Sequence, residues 1–457
     1  MSQSRKKPVV SKELLFPFII ITSLFALWGI ANDLTNPMVS AFKKVMPELS
    51  NVQASLVQFA FYFGYFFMAL PASLFIRKYS YKSGIVLGLL LYAIGAFMFY
   101  PAARYEEYNF FLISLWVLTC GLAFLETTAN PLILALGDKE TATRRLNLAQ
   151  AFNPIGSLTG MIIAQVFVLQ LLRSDDYTAE AYQALTATEL AAVRENDLGI
   201  ISIPYITLGM LVLVIMAIVL FTKIPKTPEE QKISLPDAFK KLFANKNYKL
   251  GVLAQAACVG SQIMCWTYVF QYVDNLNANT GSNLTATNFN VAAMVLFLSG
   301  RWIGTVLMRR SSPARILMLF GLGGAICSAG AILLPGIAGL ISLVGISVFM
   351  SIMFPTIYGI ALKDMGDEAK IASAGLVMAI VGGALMPVVQ GAMLDWGGDG
   401  FDDLSILGYI PEINFSFILP MICMLVVGYY GFTARSKKKA SPEEINEPVV
   451  SKELVEA

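Results

Sequence analysis

The sequence predicts an all-α polytopic membrane protein, with twelve transmembrane helices in two six-helix, pseudo-symmetric halves. Three observations carry that reading. Apolar runs of about 20 residues, the length a helix needs to cross the hydrocarbon layer, recur along the whole chain. Lys and Arg collect in alternate connecting segments. A polar, Lys-rich stretch then divides the sixth run from the seventh.

The runs fall near 16–41, 52–76, 83–103, 109–136, 146–171, 200–222, 248–272, 289–308, 315–337, 338–362, 371–394 and 413–433. Of 457 residues, 56% are hydrophobic and only 14% charged, with a mean hydropathy of +0.65; a soluble chain would be about a quarter charged. The first run follows the polar "SQSRKKPVVSKEL" and is too long for a signal-peptide core. With no small-residue cleavage site either, it is expected to stay as a span.

Orientation follows from the basic residues. With the N-terminus placed in the cytoplasm, 27 of the 33 Lys and Arg fall in inner segments. Five fall in outer loops (Lys43, Lys44, Arg104, Arg173 and Arg194), and Arg301 lies within a span. This sorting supports an even span count with both termini cytoplasmic, in a plasma (bacterial inner) membrane. The net charge of +2 reflects the same sorting and gives no sign of a nucleic-acid partner.

The expected organisation is a cytoplasmic tail (1–15), a first six-helix half (16–222), a cytoplasmic linker (223–247), a second half (248–433) and a cytoplasmic C-terminal tail (434–457). Within the linker, "LPDAFKKLF" suits a short amphipathic helix on the inner membrane surface. The basic loops "LFIRKYSYKSG" and "VLMRRSSPARI" occupy matching places in the two halves. "PVVSKEL" occurs at 8–14 and again at 448–454, a repeat for which the sequence offers no physical account.

Absences exclude whole classes of chemistry. Without histidine there is no Ser-His-Asp relay, His proton shuttle or His-ligated metal. The five cysteines lie in expected spans without CxxC spacing, as small buried apolar residues do. No GxxxxGK[ST] is present to support ATP-driven pumping. The reading is of a non-enzymatic protein with no cofactor.

Charged groups at membrane depth are costly and mark pathways or sites. Two acids lie well inside spans, Asp33 in span 1 and Glu126 in span 4. Spans 3, 6, 9 and 12 carry no charge between their ends, so they are expected to face lipid while the others line a cavity. Asn-Pro occurs in span 1 (Asn36-Pro37), span 4 (Asn130-Pro131) and span 5 (Asn153-Pro154). Each proline lacks an N–H, which frees the carbonyl four residues earlier, at Asp33, Thr127 and Gln150. At 3.6 residues per turn, Asp33/Asn36, Glu126/Asn130 and Gln150/Asn153 each share a helix face. Such faces form a polar pocket at mid-depth when they converge.

The second half is richer in rings. Gln255, Gln262 and Trp266 form one stripe of span 7, with Tyr268 and Tyr272 beside it; Phe354 and Tyr358 bracket Pro355 in span 10. Amides and acids on one wall with aromatic rings on the other suit a sugar, whose hydroxyls need paired donors and acceptors and whose C–H face packs on a ring. Tyr272 also fits the aromatic belt of a membrane interface. Arg301 fits a structural, snorkelling or gate-pairing role better than substrate contact.

"FALWGIANDLTNPM", "FAFYFGYFFMALPA", "GLAFLETTANPLI", "RRLNLAQAFNPIGS", "CWTYVFQY" and "SIMFPTIYG" together resemble the fucose–proton symporter branch of the major facilitator superfamily, in the same order over essentially the whole chain. The resemblance implies a monosaccharide importer, for L-fucose or a related hexose, working by alternating access. It implies that Glu126 serves sugar recognition and coupling, that Gln150 and Asn153 belong to the span 5 pocket, and that Gln262 and Trp266 face the sugar. Phe354 lies where fucose carriers have a tyrosine. Asn32, Asn36, Asn130 and Tyr358 complete the expected sugar-binding set.

One departure concerns coupling. Proton-coupled members carry an aspartate at the position of Asn36, whereas this chain has an amide there and a carboxylate one turn earlier, at Asp33. Either Asp33 takes over proton transfer, or Asp33, Thr35 and Asn36, with Asn32 and a Pro37-freed carbonyl, bind Na⁺. Loss of the titratable group from an oxygen-rich turn favours Na⁺. The expected partners are therefore a monosaccharide, a coupling cation (Na⁺ or H⁺) and the bilayer, with the monomer as functional unit. The competing readings are an exporter of drugs or non-sugar metabolites, which would need a wider apolar pocket, and a non-transporting sugar sensor, which would need a signalling appendage.

Overall fold

Twelve helical segments among the described residues are long and apolar enough to cross a membrane: Leu15–Thr35, Phe59–Lys78, Tyr81–Tyr105, Tyr108–Ala135, Lys139–Leu171, Ala187–Phe221, Lys246–Thr280, Ala286–Leu307, Pro313–Leu333, Gly336–Ala361, Ala369–Leu394 and Glu412–Arg435. They match the twelve expected runs in number and order and are called spans 1 to 12 below. The structure is a computed structural model that describes residues 9–35, 38–46, 48–49, 51–177, 181–182, 184–224, 234–363, 365–395, 405–406 and 410–436. Asn36 and the second "PVVSKEL" lie outside those residues.

Spans 6 and 7 overrun their apolar cores. Each has 35 residues, about 52 Å at 1.5 Å per residue against a hydrocarbon layer of about 30 Å. Local chemistry sets the ends. Span 6 opens on a capping box, where the Thr186 N–H donates to the Glu189 carboxylate at 3.0 Å and the Glu189 N–H donates back to the Thr186 hydroxyl. Span 7 starts at Asn245, whose side chain accepts the Tyr248 N–H at 3.1 Å, and stops at Gly281, with φ +65°. The amphipathic stretch of the linker forms a helix over Leu235–Ala244, capped by Ser234.

Among the described residues, five of the spans are divided: span 3 at Met98 and span 12 at Phe417, and spans 5, 10 and 11 within their lengths. Span 5 contains the helices Ala142–Gln150 and Asn153–Phe167. Span 10 consists of Gly336–Met350 and Met353–Ala361, and span 11 runs as Ala369–Met378, a short 3₁₀ turn and Gly382–Asp395. Pro71, Pro131 and Pro204, by contrast, sit inside continuous helices. Between spans 11 and 12, the two-residue strands Ser405–Ile406 and Ile410–Pro411 pair antiparallel, a detail too short to leave a periodic signal.

The chain forms two compact units, Leu15–Leu132 with Phe152–Lys226, and Met1–Leu14 with Ile133–Ala151 and Thr227–Ala457. In the first unit, span 1 packs on the second helix of span 5 by backbone approach. A Cβ on Gly29 would strike the Asn153 carbonyl, and one on Gly156 would strike the Ala26 carbonyl. The "GSLTG" spacing at 156–160 is the small-residue pattern that brings membrane helices together. In the second unit, spans 7, 9, 10 and 12 enclose a core that includes Cys258, Met264, Leu317, Leu343 and Met424. Buried hydroxyls tie it further: Tyr272 donates to the Ala331 carbonyl at 3.0 Å, and the Asn414 amide donates to the Tyr272 oxygen at 2.9 Å.

The segment Ile133–Ala151 is organised by Arg145, which is fully buried. Its guanidinium donates to the Ile133 and Leu134 carbonyls at 2.7 and 2.6 Å and to the Thr141 hydroxyl at 3.0 Å. It thereby answers the carbonyls that the end of span 4 leaves open.

Candidate functional site

In the first unit, the polar residues of spans 1, 2, 4 and 5 are held by identifiable bonds. Asp33 is buried near the end of span 1, and that helix closes at Thr35. The Thr35 hydroxyl donates to the Ala31 carbonyl at 2.8 Å and lies 3.1 Å from the Tyr205 hydroxyl. Tyr205 in turn stacks on Phe99, with centroids 3.7 Å apart. Asn32 is half-buried. A separate helix runs over Met38–Val45; Asn36 and Pro37 lie outside the described residues.

Glu126 is 1% exposed, and among the described residues its Oε2 has no hydrogen-bond partner. Asn130, on the same face as expected, is fully buried and donates to the Glu126 backbone carbonyl at 3.1 Å. Asn153 donates to the Phe25 carbonyl at 3.2 Å. That bond links the start of its helix to span 1. One turn along from Phe25, Trp28 donates its indole N–H to the Tyr65 hydroxyl at 2.5 Å, and the two rings stack at 6.3 Å. Sequence reasoning did not select this pair, although Trp28 lies four residues before Asn32, on the same helix face.

Gln150 and Asn153 do not share a continuous helix. Gln150 closes Ala142–Gln150 and Asn153 opens Asn153–Phe167, so the turn at 151–152 interrupts the face their spacing implies. The break follows from Pro154, which leaves the Gln150 carbonyl without its helical donor.

In the second unit, Gln262 is buried and its amide contacts Cys258 Sγ at 3.7 Å. Trp266 is half-buried, donates to the Ser347 hydroxyl at 3.3 Å and meets Phe297 edge-on at 5.2 Å. It packs against the core of its unit. Phe354 is half-buried and stacks with Tyr358 at 6.3 Å. Tyr358 itself is fully buried, with its hydroxyl donated to Ser373 Oγ at 2.7 Å. Tyr268 and Tyr272 likewise spend their hydroxyls on backbone carbonyls, of Pro387 and Ala331. Gln255, on the same stripe as Gln262, is fully buried, and among the described residues neither of its amide atoms has a hydrogen-bond partner.

Two further residues of this unit went unselected in the sequence. Asn147 donates to the Thr356 hydroxyl at 3.1 Å, joining spans 5 and 10. It lies three residues before Gln150, a polar side chain at depth that the pocket spacing would have included.

Twelve spans that carry the buried acids Asp33 and Glu126, with amides and rings at depth, fit the class of polytopic membrane transporters. A family model of the Major Facilitator Superfamily matches residues 14–387. The chain is 51% identical over 431 residues to the L-fucose-proton symporter of Haemophilus influenzae, covering 93% of this chain and 98% of that one. It is 31% identical to the glucose/galactose transporter of Brucella abortus, covering 91% and 93%. The crystal structure of the Major Facilitator Superfamily transporter FucP, in the outward conformation, superposes with a TM-score of 0.82 at 31% identity, covering 93% of this chain and 99% of that one. The chain belongs to the Major Facilitator Superfamily, in its fucose–proton symporter branch. It is a multi-pass membrane transporter and not an enzyme.

Proposed function

We propose that this protein imports L-fucose or a closely related hexose together with a coupling cation, by alternating access, across the bacterial inner membrane with both termini cytoplasmic. The observation that carries this reading is Glu126. A carboxyl that is 1% exposed, with one oxygen that meets no partner among the described residues, is costly at membrane depth unless it serves a substrate or an ion. Around it, Asn32, Asn130 and Asn153 supply amides for sugar hydroxyls, with Asn36 assigned to the same task from the sequence. In the other unit, Gln150 and Gln262 add amides, while Trp266 and Phe354 supply the ring faces. Tyr358 acts as the support behind Phe354, because its hydroxyl is taken up by Ser373. The 51% identity to a fucose–proton symporter supports fucose first, with glucose and galactose next. The monomer is the working unit, and no nucleic acid takes part.

The proton is the coupling ion in this reading, carried by Glu126 with Asp33 as the second carboxyl. Symport with Na⁺ is the second reading, favoured by the amide at position 36. Against it, the 51% identity is to a relative named as a proton symporter. Uptake of labelled L-fucose, galactose, glucose and mannose into proteoliposomes separates the two. Stimulation by an imposed pH gradient alone supports the proton reading. Stimulation by a Na⁺ gradient at fixed pH moves coupling to Asp33, Thr35 and Asn36, and no uptake of any sugar under either gradient sinks the sugar reading.

A further inference from the structure

Pro154 and Pro355 each remove a backbone N–H, which orphans the carbonyls of Gln150 and Ser351 four residues earlier. One side chain answers both. Arg301 Nε donates to the Ser351 carbonyl at 2.5 Å, and Nη1 donates to the Gln150 carbonyl at 2.8 Å. The guanidinium also lies 4.7 Å from the centroid of Phe297, the ring that meets Trp266 edge-on. Arg301 is 3% exposed, and among the described residues no carboxylate pairs with it. Span 8 comes this close because residue 300 is glycine: a Cβ there would strike the Val348 carbonyl and lie 2.8 Å from Ser351 Oγ.

We infer that Arg301 is a positioning residue of the transport cycle, clasping the proline-broken helices of spans 5 and 10 in one conformational state. The planar fork of a guanidinium suits this task, since it holds two acceptors in fixed directions where an ammonium offers a single point charge. Two neighbouring contacts belong to the same docking. Asn147 bonds Thr356, and a Cβ on Gly359 would lie 2.7 Å from the Thr143 hydroxyl. The inference rests on the reading of the chain as an alternating-access sugar carrier. Its own content is that Ile133–Ala151, which precedes the linker in sequence, leaves and rejoins the second six-span set by breaking and remaking the Arg301 bonds. Through Phe297, the same side chain fixes the Trp266 ring while Gln150 is held.

The test is made on the full-length protein in detergent micelles, with its five cysteines replaced by alanine and Thr143→Cys as reporter. The rate of N-ethylmaleimide labelling is measured without sugar. Arg301→Lys and Arg301→Met are each expected to raise that rate by about five- to tenfold, as loss of a coupling contact does, with Lys failing to rescue. An unchanged rate in variants that remain monodisperse overturns the inference. Should both variants fail to fold, Phe297→Leu decides: faster labelling supports the inference, and an unchanged rate overturns it. Counterflow of labelled fucose by the parent protein is measured alongside. Its absence would count against the sugar reading and leave the labelling comparison intact.

Discussion

Asn130-Pro131 and Asn153-Pro154 are the same dipeptide in neighbouring spans, with opposite outcomes. Span 4 runs through its proline as one helix, Tyr108–Ala135. Span 5 stops at Gln150 and restarts at Asn153. Near Pro131 two side-chain bonds stay within the helix, with the Asn130 amide on the Glu126 carbonyl and the Thr128 hydroxyl on that of Phe124. At Pro154 the orphaned Gln150 carbonyl is answered from another span, by Arg301. The same dipeptide therefore sits in an unbroken helix in one span and at a break in the next, and at the break a donor from another span bonds the freed carbonyl.

The comparison extends to charge. Among the described residues Glu126 keeps an oxygen with no partner, whereas Arg301 has its donors placed on carbonyls and its face on a ring. A buried carboxyl with one oxygen left open suits proton or sugar exchange; an answered cation suits holding a conformation.

The largest expected effect breaks this contrast at the acid. Glu126→Gln should abolish accumulation of sugar against a gradient while counterflow stays measurable. Full accumulation in that variant would remove Glu126 from coupling. Next, Trp266→Ala should raise the apparent KM for sugar by about tenfold, the equivalent of roughly 1.4 kcal/mol of ring contact, and leave the ion dependence alone. An unchanged KM would return the ring to packing.

Smaller effects sharpen the proline pair. Pro154→Ala gives the Gln150 carbonyl a helical donor that competes with Arg301, and should speed labelling of Thr143→Cys by about threefold. Pro131→Ala should leave labelling and transport unchanged, because that helix is already continuous. Equal effects of the two would erase the distinction. The smallest effect concerns Gln255, whose buried amide costs about 1–3 kcal/mol per unmet group. Gln255→Met should raise the Tm by about 2–4 °C with transport intact. A fall in transport would show instead that the amide meets sugar or water during the cycle.

Asp33, Glu126 and the span 7 stripe were legible because a polar group at membrane depth stands out against an apolar run. Tyr358 and Tyr272 looked equally available, yet their hydroxyls are consumed by Ser373 and Ala331, partners 15 and 59 residues away. No local spacing carries that information. The same holds for Asn147, whose partner Thr356 is 209 residues distant.

By itself the sequence determined the twelve spans and the buried acids Asp33 and Glu126, because a bilayer requires each crossing segment to be apolar and to satisfy its own backbone. It also located every proline that frees a carbonyl. Only the tertiary structure decided which freed carbonyls break their helices, since the answering donor, Arg301, lies 151 residues from one of them and 50 from the other. It likewise placed Ile133–Ala151 with the second six-span set. The reason is physical: helix formation within lipid is a local demand, whereas the pairing of an orphaned polar group depends on whatever the fold brings within about 3 Å of it.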